Sequence, residues 1–232
     1  MRFSLLAFLA VFSPALGKIL VDFQAERGDD ISDVGKVNLE ASRKDKVHAN
    51  SADVYIRMEE DPEGKPAAHF HRKAGNIRSE IHALSKKTQA DKTYTIDYEF
   101  SLGAIGDDLM IWQFKEYQAN SHGGANIPLA LEIKNDKLQL QYQKSADSRR
   151  EGQWSTKLET NKQYSAKIVI NTSTPGWVEF TWNGKAQELG DKRQKRLSAT
   201  TFPGRAEPKF GAYRGEDSDI DVYVYVIRIE ES

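Results

Sequence analysis

The sequence predicts an all-β protein: a two-sheet antiparallel β-jelly roll, a sandwich of the concanavalin-like type. Three observations lead there. Apolar residues recur with period two along most of the chain, two-residue turn signals join neighbouring alternating runs, and no segment carries a helical stripe longer than two or three turns. Many short strands separated by Gly, Pro, Asn and Asp belong to a sandwich rather than to βαβ units.

The clearest element is Leu129-Ala130-Leu131-Glu132-Ile133-Lys134, followed by Asn135-Asp136 and Lys137-Leu138-Gln139-Leu140-Gln141-Tyr142. A two-residue turn at Asn135-Asp136 pairs residues whose numbers sum to 271. This sets Ile133 against Leu138, Leu131 against Leu140 and Leu129 against Tyr142. One face of the hairpin is apolar throughout, while the other carries Glu132, Gln139, Gln141 and Gln143 and is expected to be wet. A second hairpin is expected where Trp177-Val178-Glu179-Phe180-Thr181-Trp182 meets Asn183-Gly184. Further strands are expected at 19–23, 54–58, 76–83, 94–102, 110–115, 164–170, 209–214 and 220–229. The run Asp191-Lys192-Arg193-Gln194-Lys195-Arg196 reads as a solvated loop or as an aid in attracting an anion.

The chain has 232 residues, with 33 Lys+Arg against 34 Asp+Glu and a formal charge of −1. Its 39% hydrophobic content suffices for a packed core. The balanced charge argues against a nucleic-acid partner, so any polyanionic ligand must meet a local cluster of cations. The absence of Cys rules out disulfides, thiolate metal sites and cysteine nucleophiles. Arg2, the apolar run from Phe3 to Phe12, and small residues closing at Ala15-Leu16-Gly17 have the organisation of a secretory signal peptide. The run is shorter than the roughly 20 residues of a membrane span, so residues 1–17 are expected to be removed and 18–232 to form a single secreted, extracellular domain. A retained anchor is the alternative. No internal repeat or linker divides the chain, and a monomer without a membrane partner is expected. Asn171-Thr172-Ser173 is a glycosylation sequon if the host glycosylates secreted chains.

Three segments depart from ordinary strand patterning. In Asn76-Ile77-Arg78-Ser79-Glu80-Ile81-His82-Ala83, alternation puts Arg78, Glu80 and His82 on one face, in a row about 13 Å long at a rise near 3.3 Å per residue. In Met110-Ile111-Trp112-Gln113-Phe114-Lys115, two aromatics face the core, so Gln113 must look into a groove or toward water. In Pro208-Lys209-Phe210-Gly211-Ala212-Tyr213-Arg214-Gly215, Lys209, Gly211 and Tyr213 share a face. A Gly at a strand centre often marks close approach of a ligand.

Together these segments resemble the jelly-roll polysaccharide lyases. In those enzymes one strand carries Arg-Ser/Thr-Glu, a central strand offers Gln with a second polar residue two places on, and a late strand carries Lys and Tyr around a Gly. The counterparts here are Arg78-Ser79-Glu80, Gln113-Phe114-Lys115 and Lys209-Phe210-Gly211-Ala212-Tyr213, in that order and over most of the mature chain. The alginate-lyase branch has Gln-Ile/Val-His at the second motif and a final Arg or similar residue after the first; Lys115 and His82 stand there instead. The resemblance is nearest to polysaccharide lyase family 20, the secreted glucuronan lyases, and ulvan lyases also fit the motif. It implies β-elimination on a 4-linked uronate polymer, with Tyr213, His82, Gln113 and Arg78 catalytic and Lys209, Lys115 and Glu80 in contact with substrate.

Such a cleavage needs a neutralised C6 carboxylate, a base for the C5 proton and an acid for the leaving O4. Arg78 and Gln113 can supply donors to the carboxylate, and Lys115 and Lys209 can hold flanking uronates as point charges. Tyr213 can act as base among cations and return the proton to O4, since both lie on one side of a β-1,4-linked glucuronate ring. His82 is a second carboxylate donor or an alternative base. Without any chemistry, Tyr213 is an ordinary strand aromatic and Arg78 with Glu80 a surface pair.

His69-Phe70-His71 places two imidazoles on one strand face, as a zinc site would, but no third ligand follows at a suitable spacing. His71 is the better groove candidate and is assigned to substrate binding. Asp219, Asp221 and Asp22 could supply oxygens to a structural Ca²⁺, or be exposed carboxylates; no metal ligand is assigned and no cofactor is required. A non-catalytic carbohydrate-binding module or lectin of the same fold is the first rival. A β-glucan hydrolase would need two carboxylates about 5 to 9.5 Å apart, and no Glu-x-Asp-x-Glu run occurs.

Overall fold

The computed structural model describes residues 17–42, 45–47, 49–84, 88–116, 126–201 and 206–232. Residues 1–16 of the expected leader lie outside the described residues. In chain order the strands are β1 (Lys18–Gln24), β2 (Gly35–Ser42), β3 (Asp45–Val47), β4 (Val54–Glu60), β5 (Pro66–Arg72), β6 (Arg78–Ala83), β7 (Thr93–Leu102), β8 (Met110–Lys115) and β9 (Leu129–Lys134). They continue with β10 (Lys137–Gln143), β11 (Arg150–Thr156), β12 (Tyr164–Asn171), β13 (Gly176–Trp182), β14 (Lys185–Ala186), β15 (Arg196–Ala199), β16 (Glu207–Tyr213) and β17 (Ile220–Glu231). Two short 3₁₀ turns, Ala25–Arg27 and Ile31–Val34, are the helical elements among the described residues.

The strands form two antiparallel sheets. One has nine strands in the order β14-β13-β12-β7-β17-β5-β4, with β1 added on β17 and β15 on β13; the other has eight, β11-β10-β9-β8-β16-β6-β2-β3. Their facing surfaces bury one continuous apolar cluster running from Val21 to Ile229, with Trp112, Phe114 and Phe210 of the eight-stranded sheet inside it. Both late strands are inserted centrally: β16 between β6 and β8, and β17 between β5 and β7.

Both expected hairpins form, the first in its expected register. Ile133 pairs with Leu138, Leu131 with Leu140 and Leu129 with Tyr142, because Asn135 and Asp136 take positive φ of 52° and 58°, the turn whose twist matches the flanking strands. Asn183 and Gly184 do the same between β13 and β14. The expectation of a wet face on the first hairpin does not hold: Glu132, Gln141 and Gln143 are buried. Strands β2, β3, β11 and β14 carry no clean alternation. They lie toward sheet edges, where one-sided burial no longer disciplines the pattern. The basic run from Asp191 is a turn up to Lys195, and Arg196 opens β15.

Candidate active site

Register builds the site on the outer face of the eight-stranded sheet. Lys209 of β16 lies opposite His82 of β6 on one side and Gln113 of β8 on the other. Four residues on, Tyr213 lies opposite Arg78, and two residues back, Glu207 lies opposite Lys115. The three motifs, separated by up to about 130 residues of sequence, thus occupy three adjacent strands.

Glu80 is the hub. It is 1% exposed, and its two oxygens are taken by different partners: Oε1 accepts from Gln113 Nε2 at 2.5 Å and Oε2 from Arg78 Nη1 at 3.0 Å. Arg78 Nε donates to Glu40 of β2 at 3.1 Å. Burial opposes the charge of Arg78, but Glu80, Tyr213 and Glu40 more than offset it and raise its pKa, so the guanidinium stays charged. Its Cζ lies 4.1 Å from the centre of the Tyr213 ring, and that of Arg214 lies 5.2 Å from the same ring. The Tyr213 ring also packs on Met110, Ile127 and Ala130.

His82 is held at both ring nitrogens. Asn38 Nδ2 donates to Nε2 at 3.0 Å, which leaves the hydrogen on Nδ1, 3.1 Å from Glu207 Oε1. The imidazole is therefore fixed in orientation, with both ring nitrogens engaged. Burial, together with repulsion from Lys209 and Arg78, pushes Lys115 down to about 8. Lys209 is also pushed down to about 8, chiefly by burial, with Glu80 opposing and Arg78 assisting.

Several sequence expectations change here. Lys209 is 2% exposed, so it lies in the floor of the face rather than standing out as a surface point charge. Glu80 is a positioning carboxylate, because both of its oxygens are spent on Arg78 and Gln113. Gly211 does not offer its backbone to a ligand. A bulge between Phe210 and Tyr213 interrupts the alternation, and a Cβ on Gly211 would lie 2.4 Å from the Ser79 carbonyl and 2.5 Å from the Phe70 ring. His71 belongs to the other sheet. It sits on β5, stacked on Tyr55 and bonded to Asp221 of β17 at 2.7 Å, on the surface facing away from Arg78 and Tyr213. The carboxylates considered for Ca²⁺ are dispersed: Asp22 pairs with Arg27 and Asp219 accepts from Ala74 N–H.

Sequence reasoning missed Asn38, Glu40 and Glu207. A signal existed for each: Asn38 and Glu40 share a face two residues apart on β2, and Glu207 precedes Lys209 by two. What was lacking was knowledge of which strand each would lie beside. A cleft of about 460 Å³ elsewhere, lined by Glu26, Asp29, Asp30, Glu59 and Glu60 beside Met58, has an acidic wall that would repel a polyanion.

Neither a protein-family model nor a curated protein sequence matches the chain. Solved structures do. Alginate lyase A1-II′ of polysaccharide lyase family 7, solved with a GGMG substrate, superposes over 90% of this chain and 97% of its own with a TM-score of 0.60 and 13% identity. An alginate lyase from Pseudomonas aeruginosa gives 0.61 at 14% identity, covering 86% of this chain and all of its own. An endo-β-1,4-glucuronan lyase from the fungus Trichoderma reesei gives 0.60 at 10% identity, covering 83% and 94%. At such identities the likeness establishes the fold, the β-jelly roll of these lyases.

Proposed function

We propose that the chain is a secreted polysaccharide lyase that cleaves a 4-linked uronate polymer, glucuronan first, by β-elimination. The observation that carries this reading is the meeting of Arg78, Gln113 and Tyr213 on adjacent strands, around a carboxylate that fixes the first two. Structural neighbours that act on alginate and on glucuronan support the substrate class. Family 20 itself and glucuronan rest on the sequence motifs, above all on Lys115 and His82 at the places where alginate lyases differ.

In this reading Arg78 meets the substrate carboxylate, where charge accumulates as the C5 proton leaves; Gln113 is fully buried rather than turned to a groove or to water, and it acts from beneath through Glu80. No described residue hydrogen-bonds the Tyr213 hydroxyl, so as the phenolate its oxygen is available to take that proton and then, as the phenol, deliver it to O4, breaking the C4–O4 bond, leaving a C4=C5 double bond and restoring the phenolate. His82, with both nitrogens occupied, orients the substrate or takes the proton only if Asn38 yields. Lys115 and Lys209 supply positive potential beneath the polymer.

The test is direct. Incubation with glucuronan, alginate, ulvan and pectate is followed by the ultraviolet absorbance of the unsaturated product. Absorbance rising fastest with glucuronan is expected. Rise with alginate or ulvan alone replaces the substrate, and tight binding with no absorbance makes the chain a carbohydrate-binding module.

A further inference from the structure

On the outer face of the nine-stranded sheet, away from the proposed active site, β5 and β17 bring together His69, His71 and Asp221. One donor atom from each lies within 4.8 Å of the other two. His69 Nε2 and His71 Nδ1 both lie 2.7 Å from the same oxygen, Asp221 Oδ1. Two imidazole nitrogens converging on one carboxylate oxygen form three corners of a coordination shell. The other ring nitrogen of His69 donates to Glu59 of β4, the outer carboxylate that commonly orients a metal-bound imidazole and raises its basicity. The rings are clamped by aromatics: Tyr223 stacks on His69 with centroids 4.3 Å apart and Tyr55 on His71 at 4.7 Å. His69 is buried, while His71 and Asp221 are partly exposed, so the cluster is open on its outer side to an ion and its remaining waters.

We propose that His69, His71 and Asp221 form a binding site for a divalent first-row transition ion of the Zn²⁺ type, with Glu59 as the positioning carboxylate. Two imidazoles and one carboxylate suit such an ion and do not suit Ca²⁺ or Mg²⁺, which take oxygen shells. With bonds near 2.0–2.1 Å and tetrahedral angles, donor atoms sit about 3.3 Å apart. The nitrogen–oxygen gaps therefore need to widen by roughly 0.6 Å as the ion displaces the two bridging hydrogens. The ligands come from strands 150 residues apart in sequence, so the ion would brace the early strand β5 to the final strand β17 without entering the catalytic face.

The test uses the full mature chain and added ZnCl₂ or CoCl₂. Isothermal titration is expected to give one site, and Co²⁺ to develop visible d–d bands. Zn²⁺ at 100 times its dissociation constant should raise the folded-to-unfolded ratio about 100-fold, a rise in Tm of about 5–10 °C for a chain of this size. CaCl₂ should give none. His71→Ala, at a partly exposed position, should abolish the one-site heat and the cobalt bands, and His82→Ala, on the other sheet, should leave both unchanged. If His71→Ala fails to fold, Asp221→Asn, of nearly the same shape, is read in its place. No uptake by the parent chain, or uptake unchanged in these variants, overturns the site.

Discussion

Tyr213 and the charges around it carry the sharpest predictions at the residue scale. Tyr213→Phe keeps the ring between Arg78 and Met110 and deletes the only atom that can exchange a proton. Turnover should fall by about 10²- to 10⁴-fold, with the Michaelis constant little changed; a variant keeping more than about a tenth of the parent rate would transfer the role to His82. The two lysines of the site make a second prediction. With Lys115 and Lys209 near 8, each is partly neutral in mildly alkaline solution, and a uronate carboxylate above them favours the ammonium form. Binding should therefore take up protons around pH 8 and weaken as pH rises from 7 to 9.5. The free protein shows the opposite slope: between about pH 8 and the ordinary lysine value of 10.5 the unfolded chain holds more protons, so these two groups make stability rise with pH. Titration calorimetry in buffers of different ionisation enthalpy measures the uptake, and a zero net proton count at pH 8 would contradict it.

At the scale of elements, β16 is the strand on which everything else depends. It contributes Lys209, Tyr213 and Glu207, and its bulge at Gly211 presses backbone against Ser79 and Phe70, where φ is +120°. Gly211→Ala adds both a backbone conformation costly to an L-residue and an overlap with atoms that cannot retreat. Each costs about 1–3 kcal/mol, so a loss of roughly 2–6 kcal/mol is expected. Chemical denaturation is the check. Full stability in the Ala variant would mean that the bulge is not constrained as described. The hairpins at Asn135-Asp136 and Asn183-Gly184 were legible because turn chemistry and alternation are local. Edge strands β3, β11 and β14 were not, because exposure on both faces erases the period.

For the molecule as a whole, the two sheets are tied by more than apolar packing. Arg72 of β5 is fully buried and donates to the carbonyls of Asn76 at 2.6 Å and of Arg214 and Gly215, each at 2.7 Å. It thus anchors the segments flanking β6 and β16, two of the three strands of the proposed site, to the opposite sheet. Arg72→Met fills most of the volume but strands three carbonyl groups. Since each hydrogen bond to a charged group contributes about 1.5–3 kcal/mol, a destabilisation of at least about 3 kcal/mol is expected. This corresponds to a fall in Tm of roughly 6–12 °C; calorimetry finding a shift below about 2 °C would refute the tie.

The sequence alone determined the all-β class, both hairpins, the first with its register, and the residue types that a uronate lyase would need. Periodicity and turn geometry are properties of neighbouring residues, and so are readable along the chain. Tertiary structure decided which strand lies beside which. Only the insertion of β16 between β6 and β8 makes Glu80 the shared anchor of Arg78 and Gln113, and Glu207 the partner of His82. Likewise, pairing of β5 with β17 brings Asp221 to the two histidines and takes His71 away from the proposed active face. Such pairings are set by burial of whole sheet faces against each other, a global free-energy balance that no local pattern encodes.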